Sequence, residues 1–149
     1  MNKGITLASA RAAMTAFHDA GIMVHAYLMY GFPTETEEEA FGALGFVRDL
    51  FREDLVQSAF WHRFALTVHS PVAADPDRFG IRIVDCRPRG RGRYGKCVFR
   101  RNELAYEEPG SPDWNTIGRA LNLALFNYLE GGGLRKSVYY WRNVIRKRK

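Results

Sequence analysis

Two stretches of this chain hold residues whose types and spacing could do chemistry. The first is the run ending in His69-Ser70-Pro71, whose alternation places Trp61, Arg63, Ala65, Thr67 and His69 on one strand face and His62, Phe64, Leu66 and Val68 on the other. Ligand sites in parallel α/β folds lie beyond the carboxyl ends of the strands, so His69 and Ser70 stand where a substrate would be met. The alternative is that His69 only hydrogen-bonds loop backbone. Arg63, inside an apolar run, requires a buried partner or a ligand, because an unpaired buried guanidinium is very costly. The second stretch is Arg87-Pro88-Arg89-Gly90-Arg91-Gly92-Arg93, which with Tyr94 is either a solvated basic loop or a set of phosphate and base contacts. Other arrangements are missing: no Ser/His/Asp order with supporting motifs, no phosphate-cradling glycine loop and no metal-ligand spacing.

The elements that must position these residues centre on Met23 to Glu39. Met23 to Tyr30 carries no formal charge and is mostly bulky or apolar, the pattern of a strand covered on both faces. Gly31-Phe32-Pro33 stops it. Thr34 and Thr36 offer hydroxyls for an N-cap, and Glu35, Glu37, Glu38 and Glu39 then oppose the dipole of a helix that continues through Phe41, Leu44, Val47, Leu50 and Phe51. Upstream, Thr6 can cap a helix with Leu7, Ala10, Met14 and Phe17 on one stripe and Gly21 as its stop. Helix, strand, helix and a second apolar run from Val56 are the order of βα repeats around a parallel sheet, open or closed as a barrel.

From Val72 to Gly110 the periodicity disappears, leaving Arg82 to Asp85 and Lys96 to Phe99 as short strand candidates for a hairpin across the basic segment. A helical stripe returns with Asp113 as cap and Trp114, Ile117, Leu121, Leu125, Tyr128 and Leu129 in sequence, ended by Gly131-Gly132-Gly133. Val138-Tyr139-Tyr140-Trp141 then leads into a basic tail. These last pieces read as a helical extension packed on the sheet, the alternative being an amphipathic or RNA-contacting helix. The divisions expected are therefore 1–72, 73–112 and 113–149.

The chain has 149 residues, of which 46% are hydrophobic and 13% aromatic, so it can build a core and cannot be wholly disordered. No apolar run approaches a membrane span, and Met1-Asn2-Lys3-Gly4 lacks the apolar region of a secretory signal, which points to a soluble cytoplasmic protein. Cys86 and Cys97 are the only cysteines, too few for a disulfide framework or an all-thiolate metal site. Charge is uneven. Residues 1–74 hold five Lys/Arg against eight Asp/Glu, whereas 75–149 hold seventeen against eight, and the excess is concentrated in Arg87 to Arg93 and the tail from Arg142.

Taken together, Asn2-Lys3-Gly4-Ile5-Thr6, His18-Asp19-Ala20-Gly21-Ile22, His25 through Thr36 with its Gly-Phe-Pro-Thr-Glu-Thr turn, and Phe60 to Pro71 resemble the C-terminal portion of a radical SAM enzyme. The branch it resembles often carries a cobalamin-binding domain upstream. More loosely, Asn102-Glu103-Leu104 and Leu121 to Leu134 extend the likeness. The resemblance implies a partial TIM barrel, here about the last two βα strands plus an irregular and helical C-terminal extension. It also implies a [4Fe-4S] cluster on a Cys-x3-Cys-x2-Cys loop, and S-adenosylmethionine cleaved to a 5′-deoxyadenosyl radical. That loop is absent, and neither Cys86 nor Cys97 fits it, so the cluster would be held elsewhere and the chain would be inactive alone. By the same resemblance Met29, Tyr30, Gly31, Phe32 and Pro33 would contact the adenosine of S-adenosylmethionine, and Arg63, His69 and Ser70 would line the substrate side. The Met1 start just before a helix adds the expectation of a truncated gene or a fragment. Two such strands cannot make a sheet covered on both faces, so exposed edges and an apolar face are expected, closed by the missing half or by self-association. The alternative function is a small basic RNA-binding module acting through Arg87 to Arg101, with Arg87, Arg89, Arg91 and Arg93 foremost, and through the tail from Arg142 to Lys149.

Overall fold

The computed structural model describes residues 4–84 and 102–147. Among these residues it is an α/β structure of five α-helices and two small two-stranded sheets. Contacts divide it into two units, the first made of the described residues up to Gly31, Glu35–Arg63 and those from Pro112 onward. The second is Phe32–Thr34 together with the described part of Phe64–Ser111.

The first unit opens with α1 (Leu7–Asp19). Thr6 caps it as its sequence predicts: Thr6 Oγ1 accepts from the Ser9 amide at 3.1 Å and Ser9 Oγ accepts from the Thr6 amide at 2.9 Å. β1 (His25–Tyr30) follows, then α2 (Glu37–Arg52) and β2 (Ser58–Arg63). The two strands pair in parallel with His25 opposite Ser58 and Tyr30 opposite Arg63, so α2 is the crossover that parallel pairing demands. Thr36, rather than Thr34, is the cap of α2. Its hydroxyl accepts from the Glu39 amide at 3.1 Å, and the Glu39 carboxylate accepts from the Thr36 amide at 2.8 Å. These bonds, the backbone one foremost, hold the Glu39 carboxyl below its ordinary pKa.

Among the described residues, only one side of this sheet is covered. Phe41, Leu44 and Leu50 of α2 pack with Ala59 and Trp61 of β2 and with Ile117, Leu121 and Ala124 of α4 (Trp114–Leu129) in one apolar core. Helix α4 approaches so closely that a Cβ on Gly118 would collide with the Tyr30 phenol, and Tyr30 rings lie 6.3 Å from both Trp61 and Trp114. Asp113 caps α4, accepting from the Thr116 amide at 3.1 Å. Helix α5 (Val138–Arg146) adds Trp141, whose indole N–H donates to the Tyr128 hydroxyl at 3.1 Å. Burial first of all pushes that phenol's pKa up. Arg142 Nε stands 2.7 Å from Glu37 Oε1, an ion pair without the alignment of a hydrogen bond, and Arg146 adds a second, at 3.5 Å. The C-terminal helices therefore share the core of the βα unit. By contrast α1 buries none of its residues: Leu7 and Phe17 stay exposed, and Met14 alone touches the core.

The second run does not continue as a strand past Arg63. In the second unit the chain turns at Thr67–Ser70, and Ser70 caps the one-turn α3 (Pro71–Ala74), its hydroxyl accepting from the Ala73 amide at 3.1 Å. Thr67 makes an isolated antiparallel bridge with Glu103. β3 (Arg82–Ile83) pairs antiparallel with β4 (Tyr106–Glu107), which lies in the stretch where the sequence shows no periodicity. The other half of the expected hairpin, 96–99, lies outside the described residues, as do Cys86 and Cys97. Phe32, Phe64 and Phe79 join Leu66, Val72 and Ile81 in a small core of their own.

The reciprocal bonds at the start of α2 carry a measurable share of stability. Thr36→Ala is expected to cost about 1 kcal/mol in urea unfolding. Because the folded Glu39 pKa lies below the unfolded value of about 4.3, its contribution is complete above that pH and fades as pH falls through the folded value. The difference between wild type and Thr36→Ala should therefore shrink at acid pH; a difference that stays constant would contradict the pairing.

Candidate functional site

Side chains of a parallel strand alternate between faces, and on β1 burial follows that alternation residue by residue. Ala26, Leu28 and Tyr30 turn toward the helices. His25, Tyr27 and Met29 turn away, joined by Phe60 and His62 of β2, while Trp61 turns inward at 4% exposure. The alternation that sets Trp61 against His62 holds within β2, but the side that carries Trp61 is the covered one. Tyr27 is 77% exposed and Phe60 50%, values otherwise confined to rings on the outside of a fold.

The open face is nevertheless organised. His25 Nδ1 and Ser58 Oγ lie 2.6 Å apart across the register pair. The His25 ring meets Tyr27 edge-on at 4.8 Å, Tyr27 stacks on His62 at 5.6 Å and 20°, and His62 meets Phe60 at 4.6 Å. Four rings in sequence therefore run diagonally over both strands, with two of the chain's four histidines among them. The signal for this was available in His25-x-Tyr27-x-Met29 and Phe60-x-His62; what sequence alone lacked was which side of β2 is covered.

At the carboxyl ends of β1 and β2 the chain leaves the sheet at Gly31 and Arg63. Gly31 takes a left-handed conformation with φ of 74°, and its N–H donates to Glu35 Oε2 at 2.6 Å. A Cβ there would lie 3.4 Å from the Trp114 ring, so this turn is packed against the first residue of α4. Arg63 is exposed and not buried as its apolar surroundings suggested, because it is the last residue of the strand; its guanidinium donates to Asn115 Oδ1 at 3.1 Å. Trp61 Nε1 and Trp114 Nε1 are buried and have no hydrogen-bond partner among the described residues.

Of the expected adenosine contacts, Met29 alone places its side chain on the open face. Tyr30 packs into the helix layer, Gly31 has its amide engaged by Glu35, and Phe32 and Pro33 belong to the second unit. Arg63 belongs to the first unit, while His69 and Ser70 lie in the second, His69 exposed and Ser70 donating to the Thr67 carbonyl at 2.8 Å. The described residues include no cysteine and no cluster of three metal-ligating side chains, so they offer nothing that fits an iron-sulfur cluster. An adenosine fits in part: a glycine turn for close backbone approach, beside a thioether and the Tyr27–His62 stack. Arg87, Arg89, Arg91 and Arg93 fall outside the described residues. No helix among the described residues is long and apolar enough to cross a membrane.

Comparison of the chain with protein-family models, curated proteins and solved structures yields no match.

The two faces should respond differently to truncation. Trp61→Ala is expected to cost about 3–5 kcal/mol in urea unfolding, as for a large core side chain, and Phe60→Ser less than about 1 kcal/mol. Equal losses would mean that the ring face is covered in solution.

Proposed function

We propose that this chain supplies the last two βα strands of a radical SAM catalytic barrel, whose cluster-binding part is a different segment. One observation carries the reading: a parallel pair whose helix side is a finished core and whose opposite side is an open, largely aromatic array of His25, Tyr27, Met29, Phe60 and His62. In a (β/α) barrel the helices cover the outside and the other face lines the interior, where ligands enter at the carboxyl ends of the strands. Gly31 stands at that end. Further strands on the open edges would complete the sheet and cover the rings.

S-adenosylmethionine, with a cluster that the other segment would hold, would supply the radical chemistry. The part of this chain is to bind and to exclude water. Met29 offers an apolar contact for a purine, and Gly31 lets the backbone come close. The Glu35 carboxylate fixes the Gly31 turn through its amide, and the ring array makes a dry wall beside the reacting group. Arg63, at the end of β2, shares the helix side with Trp61 and donates to Asn115 of α4, so the ring face is lined without it. On the RNA-binding alternative, Arg142 and Arg146 of the basic tail are occupied by Glu37.

The test is the coding sequence on the 5′ side of the Met1 codon, translated in all frames. A Cys-x3-Cys-x2-Cys loop in frame, or one frameshift away, is the expected result. Its absence, with no cluster-bearing chain co-purifying, would overturn the reading.

A further inference from the structure

The edge of β1 carries more information than its openness. In a parallel pair, alternate residues of each strand direct both N–H and C=O at the neighbour. The Val24 carbonyl accepts from the Ser58 amide at 3.4 Å, and the register sets His25 against Ser58. Ala26, Leu28 and Tyr30 therefore face β2, and His25, Tyr27 and Met29 point their backbone groups at the opposite edge. Among the described residues β1 pairs with β2 alone, and no turn or loop bond reaches those three backbones.

Sheet proteins protect such an edge with proline, lysine, a bulge or a covering loop. Among the described residues β1 has none of these: His25–Tyr30 contains neither proline nor a formally charged residue, and its burial alternation is unbroken by a bulge. Ile22 and Met23, which lead into it, are exposed at 52% and 81%. β2 offers a poorer edge, since it ends in charged Arg63 and packs against α4.

We infer that a second copy of this chain occupies the β1 edge, antiparallel and two-fold symmetric about Tyr27. The free groups are self-complementary in that arrangement. Tyr27 meets Tyr27 of the second copy, and His25 meets Met29 on either side of it, so every outward N–H and C=O of the three residues finds a partner. A two-fold axis normal to the sheet keeps both ring faces on one side. The result is a continuous four-stranded sheet in the order β2-β1-β1-β2, with tyrosine beside tyrosine at its centre. This concerns the chain by itself and does not rest on the catalytic reading: a parallel strand from a cluster-bearing segment would need the same backbone groups and would compete with the second copy for them.

Sedimentation equilibrium and amide hydrogen exchange on the full chain decide the matter. The wild type is expected at twice its chain mass, with the Tyr27 and Met29 amides slowed roughly tenfold or more as the dimer forms. Tyr27→Pro removes an N–H that the β1–β2 ladder does not use, so it should give a monomer with an unchanged circular dichroism spectrum. Met29→Lys places a charge on the same edge and should also give a monomer, which keeps the test decisive if the proline variant fails to fold. A wild-type monomer overturns the inference, as does a dimer that survives both substitutions or leaves those amides in fast exchange. A monomer that pairs only with an added cluster-bearing chain overturns it in favour of the parallel strand, and leaves the catalytic reading standing.

Discussion

Parallel pairing of β1 with β2 is the constraint from which the rest of the first unit follows. Antiparallel neighbours can be joined by two residues, but parallel ones need a crossover, and here α2 supplies it. A crossover helix lies on one side of the sheet, so the apolar side chains of that side acquire a core while those of the other acquire nothing. Helices α4 and α5 come from the far end of the chain, yet they pack on the side α2 has already chosen. They enlarge the finished core without touching the asymmetry. The Gly118–Tyr30 contact shows how tightly that layer is made, since a larger residue where α4 crosses the end of β1 would displace the Tyr30 phenol.

What could be read from the sequence was whatever a few neighbouring residues decide. The caps at Thr6, Thr36 and Asp113 are local chemistry, and each begins the helix its position predicts. Parallel pairing follows from helix-length spacing between apolar runs, and an exposed face follows from having two strands. The end of β2 was not legible. Phe64, Leu66 and Val68 continue the alternation of Phe60 and His62, but Leu66 is buried in a different core, with Val72 and Ile81. Nothing local marks Arg63 as the last residue of the strand, because the decision is made by residues distant in sequence. For the same reason Tyr106–Glu107 gave no strand signal: two residues have no periodicity to detect.

The candidate site was legible in location but not in membership. Reasoning from the carboxyl ends of strands leads to Gly31, which takes the left-handed conformation that its residue type permits at least cost. It leads to His69 and Ser70 only while β2 is taken to reach them. The rings of the open face were hidden by parity, since aromatic residues occupy both faces of β2 and hydrophobicity cannot tell Trp61 from Phe60 or His62. Covering one face with helices separates them: Trp61 is 4% exposed and Phe60 50%.

All three tryptophans of the chain, Trp61, Trp114 and Trp141, lie in the core of the first unit, two of them flanking Tyr30 and the third bonded to Tyr128. The described residues of the second unit contain none. Indole emission is therefore an optical label for one half of the structure, blue-shifted while the βα core is intact and blind to melting around Phe32, Phe64 and Phe79. If the two units unfold at different denaturant concentrations, fluorescence will report a single transition where circular dichroism reports two.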